Sequence, residues 1–259
     1  MRKSLMLFVI PILICLSSFS DAKGEDSENI TLKVATIDWC PAICVDSSKP
    51  GFIREIVQEV FKDSGITIVY RFMPWVRAVR EVERGLFDAL LSPVKSEAPT
   101  LLYPEFELGQ QATCFYVDKD DPWKYQDKNP SFQNRRVIIV KGNSLLHLDQ
   151  YISEHPEIFI YLTFSNFIER AINMLNFDRV NTFVYTKTET EFQLKNMGMS
   201  EDFKNAGCVS TVNLYMAFAN TYTKRSNSLI ELFDRKMAVI RKTNRIESIL
   251  AKYGLHDWR

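Results

Sequence analysis

The sequence predicts an α/β fold of two lobes joined by two strand crossings. Three observations carry that expectation. Apolar segments follow a β-α-β-α-β order from Leu32 to Val94, a similar order restarts at Arg135, and strand-like segments at Gln111–Val117 and after Thr211 lead across and back. Alternating strands and helices of this kind argue for parallel sheets with right-handed crossovers. The expected division is lobe 1 over 30–109, lobe 2 over 110–212, and a return strand with C-terminal helices packing on lobe 1 over 213–259. Two crossings make a hinge, with a cleft between the lobes.

Each element has its own signal. "LKVATIDW" reads as a strand. "GFIREIVQEVFKDSG" has apolar residues at 53, 56, 57, 60 and 61, the period of an amphipathic helix, and Gly65 as its stop. "ITIVYRFM" is β-branched and aromatic, a second strand. Val76, Val79 and Val82 are expected to line one face of a helix that ends at Gly85, and "FDALLSPV" is a third strand. In the second unit "RRVIIVKG" is a strand. "NSLLHLDQYISEH" is a helix with Leu145, Leu148 and Ile152 on one side. "IFIYLTF", "SNFIERAINMLNF" and "RVNTFVYT" continue as strand, helix and strand. "VNLYMAFAN" is a further strand, and two helices close the chain, one carrying Leu229 to Ile240 and one from Ile246 to Tyr253.

The first stretch, "MRKSLMLFVIPILICLSSFSDAKGED", reads as a secretory signal peptide over residues 1–22. Arg2 and Lys3 give its positive start, Leu5 to Leu16 its apolar body, and Ser20-Asp21-Ala22 the small residues at the cleavage site. Ile14 is too bulky for a lipoprotein cleavage site before Cys15. A periplasmic location is expected. The whole chain has 32 basic and 32 acidic side chains. Cleavage removes two basic residues and one acidic, leaving 30 against 31, a net of −1. Such a balance favours neither nucleic acid nor an anionic membrane as partner. Of five cysteines, Cys40, Cys44, Cys114 and Cys208 remain after cleavage. An even count in an oxidising compartment suggests two disulfides, with three pairings open. Cys40 and Cys44 stand close in "WCPAIC", so the expected pairs are Cys40–Cys44 and Cys114–Cys208. The loop-entropy model gives about 2 kcal/mol for the short link and about 4–5 kcal/mol for the long one.

Ligands of parallel α/β sheets sit beyond the carboxyl ends of the strands. In lobe 1 those ends deliver Asp38-Trp39, Met73-Pro74-Trp75 with Arg77, and the run from Ser92 to Glu97. In lobe 2 they deliver Lys141 to Ser144, Thr163-Phe164-Ser165 and Tyr185-Thr186. The ligand-binding candidates are Trp39, Trp75, Arg77, Ser92, Lys95, Glu97, Gly142, Asn143, Ser144 and Thr186. Each has a plainer alternative. The tryptophans can fill the core, Arg77 can be a solvated helix residue, Lys95 and Glu97 an exposed pair, and Asn143 or Ser144 a helix cap. Catalytic signals are poor: no nucleophile elbow, no H-E-x-x-H, no phosphate-binding glycine loop and no dinucleotide fingerprint occurs. No cofactor is expected. No metal site is expected either, because C-x3-C has no second close pair and His147, His155 and His256 are scattered.

Three stretches and their order resemble the periplasmic solute-binding proteins of family 3, whose best-known members serve amino-acid ABC transporters. They are "GFIREIVQEVFKDSGITIVYRFMPWVRAVREVERGLFDALLSPV", "RAINMLNFDRVNTFVYT" and "LYMAFANTYTKRSNSLIELFDRKMAVIRKTNRIESILAKYGLHDW". The resemblance covers about Ile30 to Trp258. It implies the type II periplasmic binding protein fold, a two-strand hinge, closure around a small ligand, and binding without chemistry. The family's amino-acid binders carry T-x-x-R after the third strand. Counting back from Tyr103-Pro104, the threonine position falls on Val94 and the arginine position on Glu97. Lys95 lacks the bidentate fork of an arginine. The family's lobe 2 aspartate falls on Thr186, and Asn181 replaces the aspartate common after Arg179. Both charged anchors for a free α-amino acid are thus absent.

The expected function is a monomeric periplasmic binding protein, not an enzyme, which takes a small molecule and hands it to an inner-membrane permease or sensor. Trp39, Trp75, Arg77 and Lys95 suit an apolar or aromatic body with one anionic group, whereas an inward Glu97 suits a cationic one. The alternatives are a ligand sensor without a transporter and an enzyme resembling the cyclohexadienyl dehydratases, with Glu97 and Lys95 as acid–base groups.

Overall fold

The computed structural model describes residues 30–128, 130–141, 144–163 and 166–259. The expected signal peptide, Gly142, Asn143, Phe164 and Ser165 lie outside the described residues.

Strand β1 (Ile30–Thr36) buries Leu32, Val34 and Ala35 completely. Helix α1 (Phe52–Phe61) follows, with Ile53, Ile56, Val57 and Val60 on its buried stripe. Its exposed backbone N–H groups are met locally. Phe52 and Ile53 donate to the carbonyls of Pro41 and Ala42 at 3.1 and 3.0 Å, so the loop closed by Cys40–Cys44 caps the helix start. Gly51 has a φ of 93° there, and a Cβ would collide with the Ala42 backbone. Strand β2 (Ile66–Phe72), helix α2 (Trp75–Glu83) and the short strand β3 (Ala89–Leu91) complete the first unit.

The long strand β4 (Gly109–Asp118) leads into the second unit. This contains β5 (Val137–Val140), α3 (Asp149–Glu154), β6 (Phe159–Leu162), α4 (Phe167–Asn176), β7 (Thr182–Thr186) and α5 (Lys187–Asn196). Strand β8 (Phe203–Leu214) runs back and passes through Tyr215 into β9 (Met216–Phe218), before α6 (Thr223–Ile240) and α7 (Arg245–Ala251).

Two sheets result, in the orders β2-β1-β3-β9 and β6-β5-β7-β4-β8. In the first, β1, β2 and β3 are parallel and β9 joins β3 antiparallel. In the second, β5, β6 and β7 are parallel, while β4 and β8 are antiparallel additions. The β4–β8 pair extends from Gly109↔Leu214 to Asp118↔Phe203, and its first residues form the two crossings between the sheets. Cys114 is bonded to Cys208 across this pair. Phe233, Met237 and Ile246 from α6 and α7 share one core with Ile53, Ile56 and Val60 of α1.

Several local expectations are corrected. The face of α2 expected at Val76, Val79 and Val82 is turned, since Val76 is 78% exposed while Ala78 and Val82 are buried. Steps of three residues drift by about 60° each around a helix, so the three valines cannot share one narrow face. The helix expected from Asn143 begins at Asp149 instead. Leu146 takes a φ of 58°, and Asp149 accepts from the Leu145 N–H at 2.6 Å and the Ser144 hydroxyl at 2.5 Å, which fixes a turn before the helix. Strand β3 stops at Leu91 because Ser92 has a φ of 67° and Pro93 follows. Helix α5 gave no apolar periodicity, since it buries only Thr190 and Leu194.

Candidate functional site

A cavity of about 490 Å³ lies where the carboxyl ends of β1, β2 and β3 face the end of β7. Its wall starts with Ile37, Asp38 and Trp39 after β1, and Met73, Pro74 and Trp75 between β2 and α2. Leu91, Ser92 and Glu97 come from the end of β3 and the loop after it. Tyr185 and Thr186 close it from β7, and Gln111 of the crossing strand β4 joins the two sides. Parallel pairing sends three chain ends of lobe 1 out of the same sheet edge, which is why residues so far apart in sequence meet here.

Of the residues picked from sequence, Trp39, Trp75, Ser92, Glu97 and Thr186 line this cavity. Arg77 does not. It stands on the outer side of α2, with 61% of its side chain exposed, and pairs with Glu81 at 3.5 Å. Lys95 is not part of the wall either, because its Nζ lies 4.6 Å from the Tyr215 ring and 5.7 Å from that of Tyr103. Ser144 holds Asp149 as described, away from the cavity. Gly142 and Asn143 are outside the described residues.

Ser92 is 7% exposed, and its Oγ has no hydrogen-bond partner among the described residues. Its backbone is fixed by the N–H donating to the Tyr215 carbonyl at 2.8 Å. An unsatisfied buried hydroxyl costs about 1–3 kcal/mol, and such exceptions need a reason. Glu97 accepts from the Val94 N–H at 3.2 Å. Burial pushes its carboxyl up, against that hydrogen bond. The neighbouring Tyr103 hydroxyl is pushed up to about 12, first by burial and then by the charge of Glu97. Asp38 accepts from the Val45 N–H at 3.2 Å, which ties the cavity rim to the Cys40–Cys44 loop.

Behind Trp39 stands a residue that sequence reasoning missed. The Trp39 indole N–H donates to Glu189 Oε2 at 2.7 Å, a bond from lobe 1 to the first turn of α5 in lobe 2. Burial pushes the Glu189 carboxyl up to about 7, and the charge of Asp38 acts in the same direction. Hydrogen bonds from Trp39, Tyr185 and Thr186 oppose the shift without cancelling it. Glu189 was hidden because α5 itself left no periodic signal. Ile37, Leu91 and Gln111 were also missed. Gln111 had a usable signal, since a strand that crosses between lobes must floor the space between them. Asp38, Met73, Pro74 and Tyr185 stood in the strand-end segments without being chosen.

Among the described residues no group of three or more His, Cys, Asp and Glu gathers to hold a metal ion, and no helix is long and apolar enough to cross a membrane.

No family model matches the chain, and no curated protein matches it in sequence. Solved structures do match. A histidine kinase sensor domain with similarity to periplasmic binding proteins has a TM-score of 0.66 at 15% identity, covering 88% of this chain and 97% of that one. The probable amino-acid ABC transporter extracellular-binding protein ytmK of Bacillus subtilis has a TM-score of 0.68 at 16% identity, covering 86% and 97%. A structure from work on glutathione import via GshT and the cystine ABC importer TcyBC of Streptococcus mutans gives 0.68 at 17%, covering 87% and 95%. The fold is therefore the two-lobed periplasmic-binding-protein type, and at these identities the likeness carries the fold alone.

Proposed function

We propose that this protein is a periplasmic solute-binding protein that captures a small molecule between its lobes and presents it to an ABC-type importer. On this reading lobe 1 comprises 30–109 with 213–259, lobe 2 comprises 110–212, and residues 1–22 are an export signal that is removed. The observation that carries it is the cavity itself. It opens at the carboxyl ends of three parallel strands of one sheet, meets β7 of the other, and is floored by one of the two crossing strands. A volume of about 490 Å³ is in the range of small-molecule sites. Closure is favoured only by contacts that improve when the lobes approach, and Trp39–Glu189 shows that side chains of the two lobes can reach each other. The ligand is held by Trp39, Trp75, Ser92, Glu97 and Thr186, and no chemistry is assigned to them. The wall of described residues carries no histidine, cysteine or lysine, and Lys95 rests on tyrosine rings.

A second reading keeps the ligand and changes the partner. The likeness to a histidine kinase sensor domain supports a protein that reports its ligand to a membrane receptor. A monomer suffices for either role.

The test is a thermal-shift screen of the protein with both disulfides formed, against amino acids, oligopeptides, polyamines, aromatic acids and organic amines. A ligand at one hundred times its dissociation constant adds about 2.7 kcal/mol to stability, a shift of several degrees. Alanine at Trp75 is expected to abolish that shift while leaving the melting temperature of the free protein nearly unchanged. A collapse of the free protein would make Trp75 a packing residue, and the absence of any shift across the screen would sink the capture reading.

A further inference from the structure

We propose that the cleft takes an organic cation: an amine or quaternary ammonium group on an apolar or aromatic body, without a carboxylate of its own. This rests on the capture reading above and gives it a ligand class.

The charge of the wall points one way. Asp38 and Glu97 both line the cavity, while none of its described lining residues is a lysine, arginine or histidine. Neither carboxylate enters an ion pair among the described residues. The two cationic residues picked from the sequence are engaged elsewhere, Lys95 on the ring of Tyr215 and Arg77 with Glu81. A ligand anion would enter a cleft beside two carboxylates, with no cation among the described lining residues to meet it. A ligand ammonium would meet both.

The second observation is independent of charge. Ser92 is more than nine-tenths buried, lines the cavity, and has an Oγ without a partner among the described residues. A hydroxyl oxygen there accepts an ammonium N–H from a bound ligand. The remaining surface is suited to the rest of such a molecule. Trp39 and Trp75 give the electron-rich faces that attract cations, and Met73 and Leu91 give apolar contact. One feature favours an anion: α2 opens at Trp75 on the same rim, although the Arg77 N–H of its first turn already donates to the Pro74 carbonyl at 2.9 Å. Its N-cap is Pro74, which has no N–H to give.

The experiment is calorimetric titration of the purified protein, disulfides formed, with four probes: phenethylamine, choline, phenylacetate and phenylalanine. Phenethylamine, phenylacetate and phenylalanine share an aromatic body and differ in charge. Phenethylamine or choline is expected to bind, and phenylacetate and phenylalanine to bind more weakly or not at all. Glu97→Gln and Asp38→Asn are each expected to weaken the amine by about ten-fold, with the melting temperature of the free protein unchanged. Ser92→Ala removes only an unpartnered hydroxyl, so it is expected to weaken the amine without lowering that temperature. Tighter binding of phenylacetate or phenylalanine overturns the cation assignment and leaves the capture reading standing. So does amine binding that is indifferent to the Glu97 and Asp38 changes. No binding of any probe also overturns it, and the wider screen with the Trp75 variant then decides separately whether the cleft binds anything.

Discussion

Glu107 and Glu189 each accept a tryptophan indole N–H at 2.7 Å, Glu107 from Trp258 and Glu189 from Trp39, and burial raises the carboxyl pKa of both. They end in opposite states because of what else surrounds them. Arg259 grips Glu107 with two bonds of 2.7 Å, and Arg241 stands 3.7 Å away. Burial is outweighed there and the carboxyl falls to about 2. Among the described residues no arginine offsets the burial of Glu189. Its neighbour Asp38 repels it, and the carboxyl rises to about 7. Glu107 lies just before β4 begins, so its cluster pins the C-terminus to the lobe 1 end of a crossing strand. Glu189 lies where the lobes meet. The arginines hold Glu107 as a carboxylate, whereas Glu189 has only neutral donors to offset its burial.

The largest expected effect comes from breaking the compensated site. Glu107→Ala takes the acceptor from the half-buried Trp258 indole N–H and from both Arg259 bonds, removes the carboxylate beside the Arg241 side chain, and is expected to cost about 3 kcal/mol in urea unfolding at pH 7. Asp257 still holds Arg241 with bonds of 2.7 and 2.8 Å, which keeps the loss from being larger. A loss below about 1 kcal/mol would place this cluster among ordinary surface ion pairs.

The second effect is a difference of sign with pH. A carboxyl lowered to about 2 contributes stability above its unfolded pKa near 4.5, and loses it as pH falls through the folded value. A carboxyl raised to about 7 contributes below 4.5 and loses its contribution as pH rises through the folded value. Between about pH 4.5 and 7, Glu189 therefore lowers stability by up to about 1.4 kcal/mol per pH unit, or about 2 kcal/mol in all after allowing for partial exposure. Glu189→Gln is expected to remove that slope and to match or exceed the parent protein at pH 8. A slope unchanged in the variant would assign it to other groups.

The contrast between these two sites also marks what the sequence can disclose. Period and order gave the parallel strands, because Leu32, Val34 and the α1 stripe are buried by the rules that pattern arguments use. The strand-end rule then picked Trp39, Trp75, Ser92, Glu97 and Thr186, which line the cavity, without any catalytic motif. It failed where geometry finer than an element decides. Arg77 sits two residues from Trp75, yet that half turn of α2 points it outward. Leu146 turns the chain before α3 through a left-handed backbone. Strand β8 buries about every third residue, not every second, across register shifts against β4, so its alternation was unreadable before Val212. Glu107 and Glu189 had no sequence signal at all, since their partners lie about 150 residues away.

Trp39→Phe keeps the aromatic body at the cavity and deletes one N–H. At Glu189 that bond favours the carboxylate, so its loss is expected to move the carboxyl further up from about 7, by less than about one unit. The pH at which stability stops falling would rise with it, visible in unfolding curves taken between about pH 5 and 9. At Glu107 the matching change, Trp258→Phe, is expected to leave the pH profile near neutrality unaltered, because two arginines still hold that carboxyl far below it. A midpoint that falls in Trp39→Phe would mean that water enters behind the ring and rehydrates Glu189, and the interlobe bond would then act as a seal more than as an electrostatic tie.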